Sequence, residues 1–329
     1  MNALSISVLV LGVVLHGVLL VVGARQGPSW RTLERFADQA GLTLTHAVQP
    51  ILARRLAARN RASTLGSLAA FVLSWSALLL VPGGIDGPGV FVLLTGMVLG
   101  QAIGGTLADA RAALARVGDG PRIARTPAPT LPDYVSAAER RIPPILLLVA
   151  AVVIAGAFLL VRLNPDGAFS DASIASVLWL PLALLVVGVA TAVAARAVVA
   201  RLLDHGQPAT TLTELVWDDA LRSHAVRGNV TVAGIIGLAS VYASLIALST
   251  AAYGDGTNDF GVYLSSVLSF VLPAIILVIS ALSMVSASRR TTRYYLSRLW
   301  PETYARLAGE PELVPQRTWT ELERHDLDD

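Results

Sequence analysis

The sequence predicts an all-α, polytopic membrane protein with seven transmembrane helices, built as three parallel helix-pair repeats and a half repeat with short cytoplasmic helices. Three observations predict it. Of 329 residues, 54% are hydrophobic and only 15% charged, where a soluble domain carries about 25% charged residues. All 48 Asp, Glu and Arg residues fall outside seven apolar stretches that together hold 147 residues. And 24 of the 25 basic residues, every one of them Arg, lie in alternate segments between those stretches.

A helix crossing the roughly 30 Å hydrocarbon core needs about 20 apolar residues. That length places spans at 4–23, 64–82, 88–107, 143–161, 173–195, 230–251 and 262–285, a single transmembrane domain over 1–285 followed by a tail over 286–329. The first span has no basic residue ahead of it, and Arg25 and Arg31 follow it. It therefore reads as a retained helix and not as a signal peptide. Segments 24–63, 108–142, 196–229 and 286–329 hold seven, six, four and seven Arg, against Arg162 alone in the others. Basic residues accumulate on the cytoplasmic side, so the expected topology is N-terminus outside and C-terminus cytoplasmic, in a bacterial plasma membrane. The inner segments are at most 44 residues long. A separate core is hard to build at that length, so they must pack together or lie on the membrane.

The inner segments carry an internal repeat. TLTHAV at 43–48, TLPDYV at 130–135 and TLTELV at 211–216 share Thr-Leu and a Val in sixth place, and TWTELE at 318–323 resembles them. Arg25, Arg111 and Arg196 are spaced by 86 and 85 residues. The implied unit is a helix running inward, an elbow with a short helix, and a helix running outward. Thr followed three residues later by Asp133, Glu214 or Glu321 is a capping box, which satisfies free amides at a helix start.

Within the spans the only ionisable groups besides tyrosines are those of His16. Its ring can hydrogen-bond a neighbouring helix or meet a ligand. The third span contains Gly96, Gly100 and Gly104, a GxxxGxxxG stripe that lets another backbone approach closely, with Gln101 beside it. Ala190 and Ala194 form a weaker version in the fifth. Gly96, Pro181 and Pro273 precede Arg111, Arg196 and Arg289 by 15, 15 and 16 residues. Repeat-matched interruptions point to a transport site, which makes His16, Gln101, Pro181 and Pro273 the candidate ligand-binding set.

After the last span, Arg289, Arg290, Arg293 and Arg298 interleave with Tyr294, Tyr295, Leu296, Leu299 and Trp300, the pattern of an interfacial helix on lipid and not of a nucleic-acid site. There is no Cys and no Lys. These absences exclude disulfides, thiolate sites and a retinal Schiff base. The sequence holds no P-loop, HExxH, GxSxG or GxGxxG string, its histidines lack ligand spacing, and neither metal nor cofactor is expected. DGPRIAR at 119–125 resembles the CDP-alcohol phosphotransferase signature, with one residue too many before Ala-Arg and without the downstream aspartates. Triplicated helix pairs also resemble the mitochondrial carriers, whose Pro-x-acid-x-x-basic motif is missing after Pro181 and Pro273.

The conspicuous signals are packing, capping and an inner surface. They lead to a non-catalytic membrane subunit or scaffold whose elbow helices dock a partner, with Tyr134, Trp217 and Trp300 as anchors. The expected partners are membrane lipids and either another membrane or cytoplasmic protein or a second copy of the chain. A transporter or receptor for a small uncharged or lipidic ligand is the alternative. A lipid-modifying enzyme comes third and needs Asp133, Glu139, Asp218 and Asp219 to converge.

Overall fold

The computed structural model describes residues 28–79, 88–114, 128–164, 173–206, 211–253 and 293–304, with isolated positions between 12 and 21, at 169 and 209, and between 259 and 267. Every regular element among them is a helix: α1 (Trp30–Ala40), α2 (Gln49–Leu79), α3 (Pro88–Ala113), α4 (Leu131–Tyr134), α5 (Ala137–Leu163), α6 (Ile174–Asp204), α7 (Leu212–Tyr253) and α8 (Tyr294–Leu299). Among the described residues four helices are long and apolar enough to cross a membrane, over Gln49–Leu79, Ala137–Leu163, Val177–Asp204 and Leu212–Ala252. That is fewer than the seven expected. The 26-residue α3 coincides with the third expected span, while the first and the seventh lie largely outside the described residues.

The three elbow strings among the described residues adopt three different local structures and not one repeated elbow, while the fourth string, at 318–323, lies outside the described residues. At 43–48 the chain turns, with the Thr45 carbonyl accepting from the amides of Val48 and Gln49. At 130–135 it forms the single turn of α4, breaks at the extended Val135 and restarts as α5. Ser136 and Glu139 supply a second capping box there, so a new helix start replaces continuation. At 211–216 the helix runs on without a break for 42 residues, because Trp217, Asp218 and Asp219 follow and no second cap intervenes.

Helices α2 and α3 are antiparallel and meet backbone to backbone. A Cβ built at Gly100 would overlap the carbonyl of Gly66, and one at Gly104 that of Ala62. The stripe on α3 thus lies on a matching stripe of α2, Ala62, Gly66, Ala70 and Ser74, spaced by four residues. Helix α7 is the axis of the rest. It packs on α3, α5 and α6, and 44% of its most apolar stretch is buried, against 17–22% for the other three spans. Gly234 and Gly237 admit Pro143, Leu146 and Leu147 of α5, and the Ser240 hydroxyl donates to the Pro181 carbonyl of α6 at 2.8 Å. On the outer faces Leu148, Val152 and Leu159 of α5 and Val186, Val189 and Val193 of α6 stay exposed, as lipid-facing side chains must.

A helix rises about 1.5 Å per residue, so α7 is about 63 Å long, twice the hydrocarbon core. Its apolar part, 230–251, fits that core, and 212–229 projects beyond it. The Arg-bearing ends of α2, α3, α5 and α6 gather around the projection, and α1, α4 and α8 pack on them. Two apolar clusters sit in this layer. One joins Leu33 and Ala37 to Val48, Leu52, Leu56 and Trp217. The other joins Tyr134, Val135, Val199, Leu202, Val226, Tyr295 and Leu296.

Candidate functional site

Successive residues of a helix point about 100° apart, so the polar residues of 212–229 radiate to different neighbours. At the centre is Asp219, with no exposed surface. Its Oδ1 accepts the Tyr134 hydroxyl at 2.8 Å, and its Oδ2 accepts the Trp300 indole N–H at 2.9 Å. A buried carboxylate is costly unless its lone pairs are satisfied. Here donors from two separate segments satisfy it and thereby fix both segments to α7. Burial, and then the Asp219 charge, push the Tyr134 phenol far above its ordinary range. It stays a donor at every physiological pH. Next to it Arg222, 4% exposed, lies 3.6 Å from Asp218, which also faces Arg55 of α2 at 3.8 Å.

The segments that reach Asp219 are themselves held by matched groups. Thr130 donates its amide and hydroxyl to Asp133 at 2.8 and 2.7 Å, closing α4. Asp133 faces Arg298 of α8 at 3.7 Å. Glu139 uses one oxygen for the Ser136 cap and the other for Arg227 of α7, which donates from Nε at 2.9 Å and from a terminal nitrogen at 2.6 Å. At the end of α1, Gly41 takes φ 73°, the left-handed conformation that glycine adopts without penalty. The Asp38 carbonyl, which also accepts the Gly41 amide, accepts Arg293 at 2.7 Å, and the Ala40 carbonyl accepts the Tyr295 hydroxyl at 3.0 Å. The tail thus ties α1, α4 and α7 together.

A second cluster joins three helices. Asp109, in the last turns of α3, lies 3.1 Å from Arg59 Nε of α2 and 3.6 Å from His224 Nε2 of α7, and the edge of Phe36 of α1 meets the His224 ring, centroids 5.5 Å apart. Burial outweighs the Arg59 and Arg55 charges and raises the Asp109 carboxyl to about 6. Burial, with Arg59 and Arg227 nearby, lowers the His224 imidazole to about 3. Both groups lie outside the apolar spans.

The described residues among those singled out from sequence take different places in the fold. Tyr134 and Trp217 are buried in the layer and Trp300 is partly buried, all three holding the chain's own helices. His16 is buried and bonded to Gly12 O at 2.8 Å and Ser67 Oγ at 3.0 Å. Gln101 is exposed, Pro181 is buried against α7, and Pro273 lies outside the described residues. Gly96, Gly100 and Gly104 face α2. Asp133, Glu139, Asp218 and Asp219 each face a different partner, so these carboxylates do not converge. The helical spacing of Asp218 and Arg222 marks their pairing in the sequence, and the two lie 3.6 Å apart, whereas sequence reasoning missed Asp109, His224 and Arg227. The available signal was their position within about two turns of a span. Among the described residues no three His, Asp or Glu side chains are grouped to hold a metal ion. Compared with known proteins, the chain matches no family model, no curated protein and no solved structure.

Proposed function

We propose that this chain is a non-catalytic integral membrane subunit or scaffold, with seven spans, its N-terminus outside and its Arg-rich layer in the cytoplasm, where that layer docks a partner. The observation that carries the reading is that each of three carboxylates around residues 212–229 is matched by two partners from the chain itself. Asp219 is matched by Tyr134 and Trp300, Glu139 by Arg227 and Ser136, Asp133 by Thr130 and Arg298. Such chemistry fastens helices, and the hydroxyls it pairs with carboxylates, those of Thr130 and Ser136, are used in helix caps. In the bundle His16 and Ser240 are likewise spent on helix contacts.

Because Tyr134, Trp217 and Trp300 hold the layer together, the docking face is the outer side of α1, where Trp30, Arg31, Glu34 and Arg35 are exposed over the buried Leu33 and Ala37. A photo-crosslinking residue placed at Glu34, and as a control at the lipid-facing Leu148, tests this in the native membrane. A stoichiometric second chain captured from Glu34 alone, and retained in native mass spectrometry, is the expected result. A chain that runs alone and carries a discrete small molecule sinks the scaffold reading in favour of a transporter or receptor.

A further inference from the structure

We propose that Asp109 and His224 form a proton-binding site, in which a proton held between Asp109 Oδ2 and His224 Nε2 exchanges the link from α3 to α2 for a link from α3 to α7. The first support is geometric. Asp109 Oδ2 is the oxygen nearest both neighbours, Arg59 Nε at 3.1 Å and His224 Nε2 at 3.6 Å. Neither contact is a formed hydrogen bond. Arg59 Nε and His224 Nε2 are both buried atoms without a hydrogen-bond partner. With the ring hydrogen on Nδ1, the Nε2 lone pair faces a carboxylate oxygen and is repelled by it. One proton on that oxygen allows an O–H···N hydrogen bond once the pair closes from 3.6 Å to hydrogen-bond distance, and the Asp109 side chain is already only 14% exposed.

The second support is electrostatic. Asp109 sits within the last turns of α3, where the exposed carbonyls carry partial negative charge and disfavour an anion. The charged groups around it are otherwise committed. On α2, Arg55 faces Asp218, and Arg59 is the one close cation. On α7, Arg227 is held by Glu139 of α5, and His224 is neutral. Helix α1 contributes only the Phe36 ring, and on α3 itself Arg111 is exposed. Burial disfavours the charged form of each group, the imidazolium at His224 and the carboxylate at Asp109, and the Arg59 and Arg227 guanidiniums further oppose a cation on the ring. A proton delivered to this cluster from water goes to the carboxylate. Uptake releases Arg59, whose side chain is 36% exposed and can take up water in exchange.

Infrared difference spectroscopy of the full chain reconstituted in lipid, recorded along a pH series, reads the site directly. The carbonyl stretch of a protonated carboxylic acid should appear as pH falls through about 6 and be missing from Asp109→Asn. Two further variants keep the test decisive if Asp109→Asn fails to fold. Arg59→Gln removes the competing cation and should raise the midpoint by more than one pH unit. His224→Phe removes the acceptor and should lower it. Absence of the band in the unaltered chain, its persistence in Asp109→Asn, or a midpoint unmoved by either neighbour's substitution overturns the proposal.

Discussion

Replacing Trp300 by Phe removes a single N–H donor from Asp219 and should loosen the tail without unfolding the bundle. A hydrogen bond to an ionised group contributes about 1.5–3 kcal/mol. Taking about 2 kcal/mol, local opening of the tail becomes roughly 30-fold more frequent. The amides that report it are those of Leu296, Ser297 and Trp300, bonded within their own turn to the carbonyls of Arg293 and Leu296, so hydrogen exchange in 293–300 should accelerate by that factor. Asp219→Ala strands two donors, Tyr134 and Trp300, and at about 1–3 kcal/mol for each should cost roughly 2–6 kcal/mol in all. It frees the 131–134 turn as well as the tail. The decisive comparison is the double variant, because the indole is smaller as Phe whatever Asp219 does. If the 2.9 Å contact is the fastening, Trp300→Phe adds little tail exchange on top of Asp219→Ala. A full, additive effect of Trp300→Phe in that background would refute the reasoning.

Three further outcomes are expected. Gly100→Ala should destabilise the bundle by about 1–3 kcal/mol, as overpacking does, since its Cβ would lie 2.6 Å from that of Ala70. Gly156→Ala, with nothing within 4 Å of the new methyl, should be neutral or stabilising by up to about 1 kcal/mol. Reversible unfolding in mixed micelles compares the two, and equal effects would show that α2 and α3 do not meet as described. Glu139→Gln keeps the side chain's shape but weakens both the Ser136 cap and the Arg227 pair. Breaking a partly buried pair at 2.6 Å should cost about 1–3 kcal/mol, and a loss no greater than that of an exposed Glu34→Gln control counts against it. The acid response of stability follows from two opposed groups. The Asp109 carboxyl is raised from 3.8 to about 6, so the native state holds the extra proton and this group's contribution grows as pH falls through that window. The His224 imidazole is lowered from 6.5 to about 3, so the unfolded state holds the extra proton and its contribution is lost as pH falls. They oppose each other between about pH 4 and 6. Asp109→Asn should therefore lose stability on acidification through that range relative to the unaltered chain, and parallel curves would refute the assignment.

What was legible in the sequence is what depends on a whole stretch of residues. Apolarity over about 20 positions locates a span wherever the helix begins, and α2, α5, α6 and α7 each extend past the apolar run by the charged turns that make the layer. Glycine at every fourth place names a close-packed stripe because backbone contact requires it, although the partner stripe on α2 mixes Ala, Gly and Ser and is weaker as a signal. What was not legible is what depends on one residue or on pairing at a distance. The Ser136–Glu139 capping box, where Trp217 and Ala220 stand at the corresponding places, marks the elbow string that breaks against the one that runs on into a 42-residue helix. The donors to Asp219 come from 85 and 81 residues away, and nothing local marks that carboxylate as buried and not solvated. An amphipathic aromatic residue is equally suited to a partner and to the chain's own neighbour, which is why Tyr134, Trp217 and Trp300 read as docking anchors. Segment length was the discriminating fact. Pieces of at most 44 residues cannot bury a core of their own, so their strongest anchors must be spent on one another before anything is left for a partner. On the proposed scaffold reading, the faces that remain for a partner are the charged outer turns, of which α1 is the longest described helix that does not itself enter the bundle, and specificity there would rest on the placement of Arg31, Glu34 and Arg35 more than on buried area.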